Sequence, residues 1–158
     1  MNKTILFLDD EKSILTSIQR VFFNQGYDIH TFTSAEAALR SLKERSYSVI
    51  ISDMKMPGMN GIEFLNRARI ESPDSIRIIL SAFTETDTIM EAINSSNIWR
   101  FITKPWDTND LITAIKNAID FYEESMEKKR LIVELQQLNA SLEIKVAQRT
   151  QTLNNVTV

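Results

Sequence analysis

The sequence predicts an α/β fold, in which a doubly wound parallel sheet of five strands is followed by one long C-terminal helix. Two observations predict it. Short apolar runs alternate with helical patterns five times, which is typical of parallel strands joined by right-handed crossovers with helices on both faces. All three glycines and all three prolines lie at or before Pro105, so the helix breakers punctuate only the first part of the chain.

The first third of the pattern begins with a strand at Thr4–Leu8, where five apolar or β-branched residues precede two acids. A helix is predicted over Ser13–Phe23 because its apolar residues recur at helical spacing. Gly26 comes shortly after that helix, where a left-handed cap is favoured. Tyr27–Phe32 is predicted as the second strand.

The middle of the pattern places the central strand. Ser34 is a candidate N-cap for a helix over residues 35–45. Tyr47–Ser52 is mostly apolar, as expected of a strand that is covered on both faces. Gly61–Ile70 is predicted as a helix that ends before Pro73.

The last elements follow the same alternation. Ile76–Leu80 is the fourth predicted strand, Thr86–Asn94 a helix, and Trp99–Thr103 the fifth strand, which ends before Lys104 and a proline. From residue 108 to residue 153 the pattern is helical without interruption.

Composition limits the classes of function. The 158 residues are 43% hydrophobic and 25% charged, which is ordinary for a soluble globular protein. No apolar run approaches the roughly 20 residues of a membrane span, and the N-terminus does not resemble a signal peptide. The absence of cysteine excludes disulfides and thiolate chemistry, and a net charge of −3 argues against a broad nucleic-acid surface. We therefore expect a cytoplasmic protein that binds neither membranes nor nucleic acid.

Polar residues follow the predicted strands at one edge of the sheet, where functional groups of parallel sheets collect. They are Asp9, Asp10, Asp53, Ser81 and Lys104. Three neighbouring carboxylates repel one another unless a cation neutralises them, and all-oxygen ligands suit Mg²⁺. A lysine is suited to phosphoryl oxygens, and a carboxylate beside a metal ion and a lysine can attack phosphorus.

These motifs, taken together, resemble the receiver domain of bacterial two-component response regulators. The matching stretches are FLDDE after the first strand, SDMKMPGMNGIEFL around the third, LSAF after the fourth and FITKPW after the fifth. The resemblance covers about residues 3–122. It implies a flavodoxin-like fold that receives a phosphoryl group from a histidine kinase or phosphotransfer protein, and that catalyses only its own phosphorylation and dephosphorylation.

The resemblance also implies a role for each site residue. Asp53 is the expected phosphoacceptor, and Lys104 is expected to pair with the phosphoryl group. Mg²⁺ is expected on Asp9, Asp10, Asp53 and the backbone carbonyl of Lys55.

A switch is implied as well. Ser81 is expected to hydrogen-bond the phosphoryl group, while Phe101 turns inward as the serine moves. The Lys104–Pro105 bond is expected to be cis. Phe83 is predicted to slow self-dephosphorylation by limiting access of water, whereas Lys55 could alter that rate in either direction.

The C-terminal part has its own pattern. The chain is expected to divide into a receiver over residues 1–122 and a helical extension over residues 123–158. Four leucines recur at spacings of 4, 3 and 4, which predicts a parallel coiled-coil homodimer. We expect this extension to resemble connectors that lead to output domains such as cyclic-di-GMP enzymes or histidine kinases. The leucines are Leu131, Leu135, Leu138 and Leu142.

Three other functions were weighed. A phosphatase or phosphotransferase of the dehalogenase class usually carries an acid two positions after its nucleophile, but Lys12 follows Asp10 at that spacing. A nucleotide- or flavin-binding module needs a phosphate-binding loop, and the acidic DDEKS repels phosphate. A purely structural dimerisation module leaves the acidic cluster unexplained.

Overall fold

The protein is described by a computed structural model that covers residues 2–82, 86–94 and 98–156. Five parallel strands form one sheet in the order β2-β1-β3-β4-β5, with helices between successive strands. The predicted fold class is thereby confirmed. The elements are β1 (Thr4–Leu8), α1 (Lys12–Phe22), β2 (Asp28–Phe32), α2 (Ala35–Glu44), β3 (Val49–Asp53), α3 (Gly61–Glu71), β4 (Ile76–Ala82), α4 (Thr86–Asn94), β5 (Arg100–Lys104) and α5 (Thr108–Val156).

Strand β3 lies at the centre of the sheet and is buried along its whole length. Ile51 aligns with Phe7 of β1 on one side and with Ile78 of β4 on the other. Each such side chain stabilises the fold by about 1.5–3 kcal/mol when fully buried. The continuous apolar run that predicted a central strand is therefore explained by burial on both faces.

Several strands extend further than their apolar runs. Asp53 and Lys104 are the last residues of β3 and β5, and Ser81 lies inside β4, whereas the sequence placed all three after the strands. The backbone pairing continues past the apolar side chains, since the amide of Met54 donates to the carbonyl of Leu80 at 2.9 Å. These polar residues are consequently held by the sheet itself.

The end of α1 differs from the prediction. Gly26 does have a left-handed backbone (φ 84°), but the C-cap is Phe23 with φ −57°. Asn24 is also left-handed (φ 68°), and the amide of Gln25 donates to the carbonyl of Phe22. A turn with two left-handed positions thus separates α1 from β2, and Gly26 serves the turn, not the helix cap.

The chain divides into two compact units, Met1–Glu123 and Glu124–Val158. In the first unit, α5 buries one face that includes Leu111, Ile115 and Tyr122. In the second unit, the large apolar side chains of α5 between residues 131 and 153 are exposed, among them all four leucines of the predicted coiled coil.

None of the helices in the described part of the chain combines the length and the hydropathy that crossing a membrane requires.

Candidate functional site

The turn after β1 supplies two acids in different environments. Asp9 is buried, with 1% of its surface exposed, whereas Asp10 is exposed. The amide of Glu11 donates to Asp9 Oδ1 at 2.9 Å, so the carboxylate is oriented by its own turn. One fixed acid and one solvent-facing acid therefore stand side by side at the edge of the sheet.

Asp53 ends β3 with only 8% of its surface exposed. Its backbone is confined by α3, because the amide of Gly61 donates to the carbonyl of Met54 at 2.8 Å. A Cβ atom at position 61 would lie 2.2 Å from the Asp53 carbonyl oxygen, far inside van der Waals contact. Glycine is therefore required at position 61 for α3 to approach this closely.

The loop between β3 and α3 reverses the chain next to Asp53. Gly58 has φ 81°, a left-handed conformation that glycine adopts readily. Asn60 caps α3, since its side chain accepts a hydrogen bond from the amide of Glu63 at 2.9 Å. Lys55 lies exposed on this loop, and its predicted roles stay predictions.

Lys104, the last residue of β5, contacts two of the acids. Its Nζ lies 2.8 Å from Asp53 Oδ1 and 3.3 Å from Asp9 Oδ2. The Lys104–Pro105 bond is cis, as predicted. The lysine is partly buried at the end of β5, so these charge-assisted contacts are less screened by water than surface pairs.

The electrostatics of the site favour an additional positive charge. Burial raises the pKa of both Asp9 and Asp53, although Lys104 opposes the shift in each case. Burial alone would lower the pKa of Lys104, but its contacts with Asp53 and Asp9 outweigh burial and raise it. One ammonium group thus does not compensate the three carboxylates fully.

The three carboxylates are close enough to bind one ion. One oxygen each from Asp9, Asp10 and Asp53 lies within 4.8 Å of the others. These donors are all hard oxygen atoms, which Mg²⁺ prefers, and the exposure of Asp10 leaves room for the water ligands that Mg²⁺ retains. The residues present are therefore compatible with the predicted magnesium ion.

The predicted switch residues lie on neighbouring strands. Ser81 is buried near the end of β4 and aligns with Thr103, while Asp53 aligns with the preceding residue, Leu80. Phe101 is partly buried and packs against the core beneath the site. Phe83 lies outside the described residues.

Sequence reasoning missed two positions that shape the site. It placed Gly61 as the first residue of a predicted helix, but the glycine is required by its approach to Asp53. It did not identify Asn60 as a helix cap, although an asparagine directly before a helical pattern is a recognised start signal. Close backbone approaches leave no such signal in a single sequence.

Comparison with known proteins relates the chain to one family. The model of the family described as response regulator receiver domain matches residues 5–116. The sporulation initiation phosphotransferase F of Bacillus subtilis is 32% identical over 119 residues, which cover 75% of this chain and 95% of that protein.

A second relative is much longer than this chain. The hydrogenase transcriptional regulatory protein HoxA of Cupriavidus necator is 32% identical over 132 residues, 84% of this chain but 27% of that protein. The chain thus spans about a quarter of that relative's length. Among solved structures, the one described as adenylate cyclase from Rhodopirellula baltica has a TM-score of 0.80 and 34% identity, and the match covers 84% of this chain and 98% of that one.

Proposed function

The chain belongs to the response regulator receiver domain family, and on that premise we propose that it is a signalling module whose phosphoacceptor is Asp53. The observation that carries this proposal is the contact of 2.8 Å between Lys104 and Asp53 within a cluster of three acids. Phosphorylation-dependent signalling is the function of the family, and the assignment of individual residues is the step that we add.

The proposed reaction is transfer from a phosphohistidine on a histidine kinase or phosphotransfer protein. An oxygen of Asp53 attacks phosphorus, the P–N bond breaks, and its electron pair returns to the imidazole, which takes up a proton. The product is an acyl phosphate on Asp53. Lys104, already beside the carboxylate, pairs with the transferred oxygens.

We assign the magnesium ligands to Asp9, Asp10, Asp53 and the backbone carbonyl of Lys55. The spacing of the three carboxylates and the hardness of their oxygens support this assignment. When bound, the ion neutralises negative charge on the carboxylates and the phosphoryl group. The turn that fixes Asp9 and the sheet that fixes Asp53 hold these two ligands in position.

The switch is proposed to use Ser81 and Phe101. Ser81 directly follows Leu80, the residue that aligns with Asp53. Its buried hydroxyl is therefore well placed to move with a phosphoryl group on Asp53. Phe101 lacks the hydroxyl of a tyrosine, so its movement would depend on packing alone. The ring is partly buried against the core, so an inward rotation would bury more of it.

The output is proposed to pass through α5. We assign residues 1–122 to the receiver and residues 123–158 to a parallel coiled-coil dimer that links the receiver to an output region. The exposed leucines of the extension support a partner helix, because isolated helices are marginal without packing. Phosphorylation would then change how two copies pair.

The test is the intact mass of the protein after incubation with Mg²⁺ and a small phosphodonor. We expect the gain of one phosphoryl group, which is lost in Asp53→Asn and on chelation of Mg²⁺. The matched control is Asp120→Asn, since Asp120 is an exposed aspartate of α5 outside the acidic cluster. Rapid turnover of the donor without a trapped product would instead indicate a phosphatase. The absence of both labelling and Mg²⁺ binding would contradict both functions.

A further inference from the structure

Ser52 is a buried polar residue directly before the proposed phosphoacceptor, and the phosphotransfer described above does not use it. It is the penultimate residue of β3, and none of its surface is exposed. Successive side chains of a strand point to opposite faces of the sheet. Ser52 therefore lies on the face opposite to the Asp53 side chain, together with Ile50 of the hydrophobic core.

A hydroxyl in such an apolar environment needs a hydrogen-bond partner, because an unpaired buried polar group destabilises the fold. The partner of Ser52 is the backbone carbonyl of Asp53, to which Ser52 Oγ donates at 2.9 Å. An alanine would pack on this face without any such requirement. The hydrogen bond, and not packing, therefore distinguishes serine from alanine at position 52.

The Asp53 carbonyl belongs to the peptide group that links Asp53 to Met54, and hydrogen bonds hold both ends of this group. Its N–H donates to the carbonyl of Leu80 at 2.9 Å, which attaches it to β4. On the other side, the pairing between β1 and β3 ends with Leu8 and Ser52. The hydroxyl of Ser52 therefore supplies a donor to the Asp53 carbonyl where the β1–β3 pairing has stopped.

Helix α3 confines the same carbonyl. A Cβ atom at position 61 would lie 2.2 Å from the Asp53 oxygen, so α3 packs directly against this peptide group. The Cα atom of Asp53 carries both the peptide group and the carboxylate. A rotation of the peptide group would therefore also tilt the carboxylate relative to Lys104, whose Nζ lies 2.8 Å from Asp53 Oδ1.

We propose that Ser52 is a positioning residue for phosphotransfer, whose hydroxyl fixes the peptide group after Asp53 and thereby the orientation of the carboxylate. This rests on the role of Asp53 proposed above. Ser52 contacts the backbone of Asp53 and acts through it. Such positioning matters because a displacement of about 1 Å can slow a reaction about a hundredfold.

The chain offers a matched control in Ser48, which directly precedes β3. Ser48 is also fully buried, and its hydroxyl also donates to a backbone carbonyl, that of Thr4, at 3.1 Å. It lies at the end of β3 opposite to Asp53. Ser52→Ala and Ser48→Ala therefore remove the same kind of hydrogen bond, one next to Asp53 and one distant from it.

The first measurement is the rate of phosphorylation by acetyl phosphate with Mg²⁺, followed by intact mass under conditions where denaturant unfolding shows each variant to be folded. We expect Ser52→Ala to be slowed about tenfold and Ser48→Ala less than about twofold, although both substitutions lower stability. Ser52→Cys keeps the volume of the side chain but offers only a weak thiol donor. Its rate should lie between those of the wild type and Ser52→Ala.

The second measurement is hydrogen exchange of the Met54 amide, which reports on the same peptide group without any phosphorylation. Loss of the Ser52 hydrogen bond should speed this exchange about fivefold, the effect of one hydrogen bond. Ser48→Ala should leave it within about twofold of the wild type.

The outcomes separate this proposal from the assignment of Asp53. If Asp53→Asn is labelled like the wild type, the assigned phosphoacceptor is wrong, and the role of Ser52 is wrong with it. If labelling depends on Asp53 but Ser52→Ala reacts as fast as the wild type or as Ser48→Ala, only the role of Ser52 is overturned. Unchanged exchange at Met54 in Ser52→Ala would overturn it as well. If Ser52→Ala does not fold, the same comparisons made with Ser52→Cys decide the question.

Discussion

At the scale of single residues, the buried carboxylates of the candidate site are electrostatically unfavourable. Asp9 and Asp53 are buried beside each other, and burial raises the pKa of each despite the contacts with Lys104. A raised pKa means that the folded protein binds these protons more tightly than the unfolded chain does. The corresponding stability is fully present below the ordinary aspartate value of 3.8 and is lost as the pH rises through the raised pKa. At neutral pH the buried carboxylates of the site therefore cost stability.

Asp53→Asn should stabilise the protein against unfolding at pH 7 without Mg²⁺, by roughly 1 kcal/mol, because it removes a buried charge. The gain should shrink as the pH falls through the raised pKa of the wild-type carboxyl, which then becomes protonated itself. Denaturant unfolding across this pH range measures the effect, with Asp120→Asn as the exposed control.

If Mg²⁺ binds as proposed, it should reverse the order of stability. The ion would then bind the folded wild type more tightly than the variant, and a ligand of the folded state stabilises it in proportion to occupancy. If Asp53→Asn is less stable than the wild type at pH 7 without Mg²⁺, the buried Asp53 carboxylate does not destabilise the fold, and the explanation from burial is wrong.

At the scale of elements, the junction of β3 and α3 shows what a sequence reveals and what it hides. The apolar run predicted β3 and its central position, and the alternation of elements predicted the edge at which Asp9, Asp53 and Lys104 meet. The run ended at Ser52, however, whereas β3 ends at Asp53. Backbone pairing does not need apolar side chains, so hydropathy underestimates the ends of strands. The contact of Gly61 with Asp53 depends on how two elements pack, which no local pattern contains.

Gly61→Ala should destabilise the protein by about 1–3 kcal/mol. Alanine in a helix is ordinarily favoured over glycine by up to about 1 kcal/mol. The sign of the change in the free energy of unfolding therefore tests whether the clash with the Asp53 carbonyl outweighs this preference. Asn66→Ala, at an exposed position of the same helix, provides the comparison. We also expect Gly61→Ala to slow phosphorylation, since the added atom must displace Asp53. Unchanged stability and an unchanged rate of phosphorylation would show that α3 can shift to accommodate the added methyl group.

At the scale of the whole molecule, the proposed dimer depends on the exposed leucines of α5. Leu135 and Val133 are exposed to similar extents, 57% and 49%, in the single chain. Only Leu135 belongs to the pattern of leucines, so the proposed dimer would bury Leu135 and leave Val133 exposed. The spacing of leucines was readable from the sequence, whereas the contact between Trp99 and Phe121 depends on how the chain before β5 packs against α5.

Leu135→Asp should convert the protein to a monomer at micromolar concentration, because it places two like charges in the helix interface. Val133→Asp, which lies outside the pattern of leucines, should leave the dimer intact. Light scattering gives the molar mass of both variants and of a chain that ends at Tyr122, which we expect to be monomeric. A dimeric truncated chain would place the principal interface elsewhere.

The coupling between Asp53 and α5 is tested most directly by the distance between spin labels at Ala140→Cys in the two copies of a dimer. Measurements are made before and after phosphorylation, with the degree of labelling fixed by intact mass. We predict that the distance distribution or the dimer fraction changes in the protein with Asp53 and stays constant in the Asp53→Asn background. Identical distributions and dimer fractions in fully phosphorylated and unphosphorylated protein would contradict the proposed transmission through α5.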